Sequence, residues 1–143
     1  MDLTERRQMQ DNTIFLDSNI VIYAYFKQEE RKQRIAKQLI SESSVISTQV
    51  LQEMSNTLRR KMKVDFQTIK LLLEECITNS EVFTNTTATV FSACDVAARY
   101  GFSFYDSLII AAAMDSGCTT LYSEDLQHSQ TIDGKLIIKN PFI

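Results

Sequence analysis

Hydrophobic positions along the chain form two patterns: short apolar runs, and longer stretches with an apolar residue every three or four positions. The short runs predict buried strands at 13–16, 45–46, 81–83, 119–122 and 136–138. The longer stretches predict helices at 18–26, 29–41, 48–62, from 65 onward, 88–100 and 105–116. Short strands alternating with helices favour right-handed crossovers and a parallel sheet covered on both faces. We therefore predict a three-layer α/β/α domain with a central, mostly parallel sheet.

Composition narrows the class of protein. The chain has 143 residues, 44% hydrophobic and 23% charged, which is typical of one globular domain. Only 3 glycines and 1 proline are present, too few for a turn-rich β-sandwich. We expect a polar extension at residues 1–12 and one domain at 13–143. No apolar run reaches the roughly 18 residues of a membrane span, and no signal peptide is visible, which indicates a cytoplasmic protein without membrane contact.

Thiol chemistry is not indicated, because the three cysteines lack the spacing of a metal site or a redox motif. We expect all three to be reduced, buried core residues: Cys76, Cys94 and Cys118.

Charge is unevenly distributed along the chain. The net charge is −3, but residues 1–63 carry +3 and residues 64–143 carry −6. A short basic cluster lies at Arg59, Arg60, Lys61 and Lys63. Such a cluster can bind a polyanion such as RNA, or it can be an ordinary solvated helix face.

Four acidic residues occupy related positions in the predicted fold. Asp17 ends the first strand, and Asp125 follows the strand at 119–122. Glu53 lies in the second turn of a helix that follows a strand, and Asp106 lies in the first turn of an alanine-rich helix. In a parallel sheet these positions share the carboxyl end of the strands, where ligands bind. We therefore expect the four carboxylates to converge.

Each acid also has a simpler structural interpretation. Asp17 has the residue type of a helix N-cap, and Asp106 has capping-box spacing from Ser103. Glu53 can be a surface residue and Asp125 the start of a turn. However, Asp106 falls on the helix face of Ile109, which we expect to be buried, and a buried carboxylate is costly without a partner.

Divalent cations would relieve the repulsion among four converging carboxylates, since −4 matches two ions of charge +2. A ligand set of oxygens without histidine or cysteine favours Mg²⁺ or Mn²⁺ over zinc. Phosphodiester hydrolysis is the chemistry that such a site supports, and the basic cluster would hold the phosphate backbone. The single histidine, His128, is not needed as a general base in this chemistry.

Five segments carry a resemblance to a known family: FLDSN at 15–19, QE at 52–53, FYDSLIIAAA at 104–113, SEDL at 123–126 and NPF at 140–142. In order and spacing they resemble PIN-domain proteins, and specifically VapC-like toxins of type II toxin–antitoxin systems. The match runs over residues 13–142. It implies a PIN-like domain with Mg²⁺- or Mn²⁺-dependent endoribonuclease activity, usually dimeric and inhibited by a small cognate antitoxin protein.

The resemblance also implies roles for individual residues. Asp17, Glu53 and Asp106 would be the core metal ligands, and Asp125 would support a second metal. Asn19 and Ser123 would orient these ligands or water. Glu124 is a fifth acid in the same region, and the pattern does not predict its direction.

Two other functions are compatible with parts of the sequence but fit it less well than a nuclease does. A catalytically silent PIN-like module that binds RNA or protein would not need all four acids. A different Mg²⁺ phosphotransfer fold fits less well. Phosphatases of that kind need an acid where Asn19 stands, and receiver domains need a lysine after the strand that ends at Tyr122.

Overall fold

The computed structural model describes residues 13–26, 28–41 and 43–143, so the extension predicted at residues 1–12 lies outside the described residues. The strands in this part of the chain are β1 (Ile14–Leu16), β2 (Ser44–Ser47), β3 (Glu81–Phe83), β4 (Thr120–Tyr122), β5 (Thr131–Ile132) and β6 (Leu136–Lys139). Its helices are α1 (Ser18–Tyr25), α2 (Glu30–Leu39), α3 (Thr48–Met62), α4 (Phe66–Asn79), α5 (Thr87–Tyr100) and α6 (Phe104–Asp115).

The strands form one sheet in the order β3-β2-β1-β4-β6-β5. All neighbouring strands are parallel except β5 and β6, which are antiparallel. This confirms the prediction of a mostly parallel sheet. Phe15 of β1 lies opposite Val45 of β2 and Leu121 of β4. Because the chain proceeds from β1 toward β3 in one direction and places β4 on the other side, the switch point lies between β1 and β4.

The helices pack in two groups, as expected of a three-layer domain. Helix α1 packs against α2, α3 and α4, and α3 also packs against α4, whereas α5 and α6 pack against each other. The core between them holds fully buried side chains of the sheet, including Phe15, Ile46, Leu121 and Ile138. Helix α6 is buried at every position from Ser107 to Ala113, so it is covered on all sides and not on one face as predicted. It contacts α5 as well as β2 and β4, and its alanines permit this close approach.

Local signals in the sequence account for most element ends. Asp65 caps α4, and Gly101 ends α5 with a φ of 78°, a left-handed conformation that glycine adopts without strain. Helix α3 is capped by Ser47, one residue before the predicted Thr48. The two-residue strand β5 was not predicted.

The expectation that all three cysteines are buried was wrong for Cys94. This residue lies on the exposed side of α5, whereas Cys76 and Cys118 are buried. Among the described residues, no helix combines the length and the apolar character that crossing a membrane requires.

Candidate active site

The four predicted acids lie at the carboxyl edge of the sheet, near the switch point. Asp17 directly follows β1, and its backbone N–H donates to the carbonyl of Tyr122 at the end of β4 over 3.0 Å. Ser123, which begins the turn that carries Asp125, donates its own N–H to Lys139 over 3.0 Å. These two bonds align the ends of β1, β4 and β6. The loops that carry Asp17 and Asp125 therefore leave the sheet at the same edge.

Asp17 is the most buried of the four acids, with 7% of its surface exposed. It is the N-cap of α1, because its Oδ1 accepts from the Ser18 N–H over 2.8 Å. Its Oδ2 accepts from the Ser123 hydroxyl, also over 2.8 Å. Capping and placement in the acidic site are thus two roles of the same carboxylate.

Asn19 links the two loops that carry Asp17 and Asp125. Its Nδ2 donates to Asp125 Oδ2 over 3.1 Å and more weakly to Asp17 Oδ2 over 3.4 Å. Its Oδ1 accepts from the backbone N–H of Glu124 over 3.1 Å. Ser123 completes this network, since its Oγ accepts from the Asp125 N–H over 3.2 Å. Both residues predicted to orient the acids therefore contact them directly.

Glu53 approaches the same edge from α3 and is held by neighbours that the sequence reasoning missed. The side chain of Gln49, one turn earlier and buried, donates to Glu53 Oε2 over 3.3 Å and to the carbonyl of Tyr105 over 3.1 Å. The Ser18 side chain also acts on Glu53, since it lowers the pKa of this carboxyl against the effect of burial. The spacing of Gln49 and Glu53 was a usable signal, because residues four apart meet on a helix surface.

Asp106 lies in the first turn of α6, next to the Tyr105 carbonyl that Gln49 contacts. Its backbone N–H donates to the Ser103 hydroxyl over 3.2 Å, so Ser103 is the N-cap of the helix. The Asp106 side chain is half-buried. Asp106 therefore borders the open edge of the site and is less enclosed than its position on the helix face of Ile109 predicted.

Burial and nearby negative charges raise the pKa values of two acids in the site, Asp17 and Glu53. Burial raises the pKa of Asp17 to about 6, aided by the nearby charges of Glu53 and Asp125 and opposed by the bonds from Ser123 and Ser18. Burial also raises the pKa of Glu53, and the charges of Asp106 and Asp125 add to this effect. Nearby carboxylates thus disfavour the ionised forms of Asp17 and Glu53, in addition to the larger effect of burial.

The donor set fits a hard divalent cation in its chemistry. Every candidate ligand is a carboxylate, and a positive charge would favour the ionised forms of Asp17 and Glu53, whose pKa values are raised by burial and by nearby acids. Within residues 13–26, 28–41 and 43–143, no three acidic, histidine or cysteine side chains are already gathered closely enough to hold one ion.

Comparison with known proteins identifies the family. The family model of the PIN domain matches residues 14–133. The chain belongs to the PIN-domain family. No curated protein matches the chain in sequence.

Solved structures share this PIN fold at low sequence identity. DNA-bound VapBC from Salmonella typhimurium is 20% identical, with 91% of this chain and 98% of that chain covered and a TM-score of 0.68. A toxin–antitoxin complex from Klebsiella pneumoniae is 17% identical, with 90% and 97% covered and a TM-score of 0.65. VapC20 from Mycobacterium tuberculosis, described as a sarcin-ricin loop cleaving toxin, is 20% identical, with 78% and 91% covered and a TM-score of 0.63.

The carboxylate of Glu124 contacts α1 and α2 and not the four acids at the carboxyl edge of the sheet. Its carboxylate pairs with the Lys32 ammonium of α2 over 2.5 Å and accepts from the Tyr23 hydroxyl over 3.0 Å. The Lys32 ammonium also lies 5.1 Å from the centroid of the Tyr23 ring and 5.2 Å from that of Phe142. The fifth acid is therefore neutralised by a cation, and its role is to fasten the turn at 123–126 to α1 and α2.

The predicted basic cluster lies at the end of α3, and all four side chains are exposed. The guanidinium of Arg59 lies 5.3 Å from the centroid of the Phe66 ring, toward α4. Lys61 instead lines a cavity that also contains Asn19. The cluster therefore spreads around the helix, and Lys61 borders the same cavity as a residue of the acidic site.

His128 has a structural role in the PIN domain. It is exposed, and its Nδ1 accepts from the backbone N–H of Asn140 over 3.0 Å. The side chain of Asn140 in turn accepts from the Phe142 N–H over 2.9 Å. These bonds order the end of the chain.

Proposed function

We propose that this PIN domain is a metal-dependent endoribonuclease that acts as the toxin of a toxin–antitoxin pair. The observation that carries the proposal is the position of Asp17, Glu53, Asp106 and Asp125 at one edge of the sheet, where burial, together with the charges of neighbouring acids, raises the pKa values of Asp17 and Glu53. Membership of the PIN family and the likeness in fold to toxin structures support it.

The carboxylates of Asp17, Glu53 and Asp106 would hold a first divalent ion, and Asp125 would help hold a second. Bound Mg²⁺ or Mn²⁺ would supply an activated water and neutralise charge at the phosphate. The chain's own contribution is to keep these carboxylates oriented and ionised. Ser123 and Ser18 donate to Asp17, and Asn19 donates to Asp125. Such bonds favour the charged, ligating form of a carboxylate.

Substrate and partners follow from the same proposal. The exposed cations Arg59, Arg60, Lys61 and Lys63 would attract the phosphate backbone of RNA toward an edge that is itself acidic. A cognate antitoxin protein would bind the toxin and block this edge. The fold comparisons with complexes from Klebsiella and Salmonella support a partner of this kind. We further propose that the protein is a homodimer and acts in the cytoplasm.

Cleavage of total cellular RNA by the purified full-length protein tests the proposal. The reactions contain Mg²⁺, Mn²⁺ or EDTA, and the variants are Asp17→Asn and Asp106→Asn. Asp95→Asn is the matched control, because Asp95 is an exposed acid on α5. We expect discrete fragments with either metal, none in EDTA, and none with the two site variants, whereas the control cleaves like the wild type.

Two results would contradict the proposal. Cleavage that persists in EDTA or in both site variants would rule out the acidic edge as the active site. RNA binding without cleavage, by a folded protein given a full set of cellular RNAs, would indicate a silent RNA-binding module. Growth arrest on expression of the chain alone, absent with Asp106→Asn, would support the toxin assignment separately.

A further inference from the structure

A small cavity lies between α1 and α3, beside the candidate active site. Its volume is about 190 Å³. Helix α1 contributes one side of it and the second half of α3 contributes the other. The residues used below line it: Asn19, Ile22, Gln28, Thr57, Lys61 and Met62.

Asn19 connects this cavity to the acids. The same amide that lines the cavity donates to Asp125 over 3.1 Å and to Asp17 over 3.4 Å. A group bound in the cavity would therefore lie next to the loops at 17 and 125. The cavity continues the acidic edge and is not a separate surface of the domain.

Helix α3 provides a second connection. Glu53, Thr57 and Lys61 are spaced four residues apart, so they occupy one side of the helix in successive turns. Glu53 belongs to the acidic site, whereas Thr57 and Lys61 line the cavity. The distance from Glu53 to Lys61 along the helix axis is about 12 Å. An extended chain lying on this stripe would pass from the carboxylates to the lysine.

We propose that this cavity binds one nucleotide of a single-stranded RNA substrate, adjacent to the bond that is cut. The base would rest against Ile22 and Met62, and Lys61 would contact the neighbouring phosphate. This inference rests on the proposed nuclease function. It adds a subsite that would make cleavage depend on the identity of one RNA base.

The lining has the chemistry that recognition of an unpaired base requires. Ile22 and Met62 line the cavity with apolar side chains, and the exposed amide of Gln28 provides both a donor and an acceptor. Proteins read single-stranded RNA by packing splayed bases on side chains and hydrogen-bonding to their edges. Pockets for drug-sized molecules have volumes of about 300–1,000 Å³, so a cavity of this size suits a smaller group such as one base.

Binding of the four ribonucleoside 5′-monophosphates to the full-length protein in EDTA tests the subsite without relying on catalysis. The readout is the ε-methyl NMR signal of Met62, assigned with a Met62→Leu variant. We expect a saturable shift with at least one of the four nucleotides. Lys61→Ala should weaken the affinity about fivefold, because an exposed contact between opposite charges contributes modestly.

Variants of the cavity separate specific binding from general attraction of anions. Thr57→Trp, which fills the cavity, should abolish the shift, and Gln28→Ala should change which nucleotide binds best. Lys70→Ala is the matched control, because Lys70 is an exposed lysine on α4. Thermal unfolding verifies that Thr57→Trp is folded. If this variant is unfolded, Gln28→Ala and Lys61→Ala still test the subsite, because both residues are exposed and their replacement should not disturb the fold.

Absence of a Met62 shift with all four nucleotides would overturn the subsite, as would equal shifts in wild type, Lys61→Ala and Gln28→Ala. Sequencing of the fragment ends from a random single-stranded RNA pool gives the second readout. We expect a base preference beside the cleaved bond that Gln28→Ala alters. If RNA is cleaved but no nucleotide shifts Met62, only the subsite fails. If nucleotides bind but no RNA is cleaved, the nuclease proposal fails.

Discussion

The side chains of Asn19 and Asp125, which are 106 positions apart in the sequence, are joined by a hydrogen bond of 3.1 Å from Nδ2 to Oδ2. Asn19 also accepts from the backbone N–H of Glu124 over 3.1 Å. One amide therefore ties the first turn of α1 to the turn after β4. The position of the fourth acid relative to the first depends on it.

Replacing Asn19 with alanine should lower RNA cleavage by about 10- to 100-fold, the usual cost of removing a group that orients metal ligands. Single-turnover cleavage with saturating Mg²⁺ measures the effect. Gln127→Ala, a change of an exposed amide close to the same turn, is the control and should cleave normally. Full activity of the Asn19 variant would show that Asp17 and Asp125 do not need this link.

Gln49 should matter for catalysis although it is buried beneath the acids. Gln49→Met keeps the shape of the side chain but removes the donor shared by Glu53 and the Tyr105 carbonyl. We expect cleavage to fall about tenfold or more, with a weaker apparent affinity for Mn²⁺. Isothermal titration with Mn²⁺ and cleavage assays measure both. Gln52→Met, at an exposed position of the same helix, should leave both values unchanged.

The adjacent acids Glu124 and Asp125 should behave oppositely. Asp125→Asn should reduce cleavage strongly, since the charge of Asp125 acts on both Asp17 and Glu53. Glu124→Gln should leave cleavage close to wild type, because the Glu124 carboxylate pairs with Lys32, but it should lower the melting temperature. Cleavage rates and thermal unfolding of the two variants provide the comparison. Equal loss of cleavage in both would mean that Glu124 also serves the site.

Asp17 should make the stability of the metal-free protein depend on pH. Its pKa is about 6 in the folded protein against an ordinary 3.8, so the folded state binds more protons between these values. Stability therefore falls as pH rises from about 4 to about 6, by up to about 3 kcal/mol, and is constant above that.

Urea unfolding of the wild type and Asp17→Asn in EDTA measures this dependence. Asparagine is also a good N-cap, so the variant keeps the start of α1. We expect the variant to be more stable at pH 7 and similar to the wild type at pH 4. Adding Mg²⁺ at pH 7 should stabilise the wild type more than the variant, because only the wild type has the full set of ligands. A pH-independent difference between the two would contradict the raised pKa.

Much of the fold was predictable because each element carries its own local signal. The periodicity of apolar positions marked the six helices and five of the six strands within the described residues, and Asp65 and Gly101 marked helix ends. Strand β5 was missed because two residues cannot establish a period, and its pairing with β6 depends on a turn. The exposure of Cys94 was missed because its neighbours are apolar and only packing decides which side of α5 is covered.

The sequence by itself determined which acids approach one another, because parallel strands bring their carboxyl ends to the same edge. Asp17, Glu53, Asp106 and Asp125 follow from that rule and from their positions in the chain. Tertiary structure alone decided how those acids are held and what surrounds them. The pairing of Glu124 with Lys32, the bridge from Gln49 to Tyr105 and the cavity between α1 and α3 all join side chains from different elements. Contacts of this kind depend on how the helices pack against each other, which no local pattern of residues specifies.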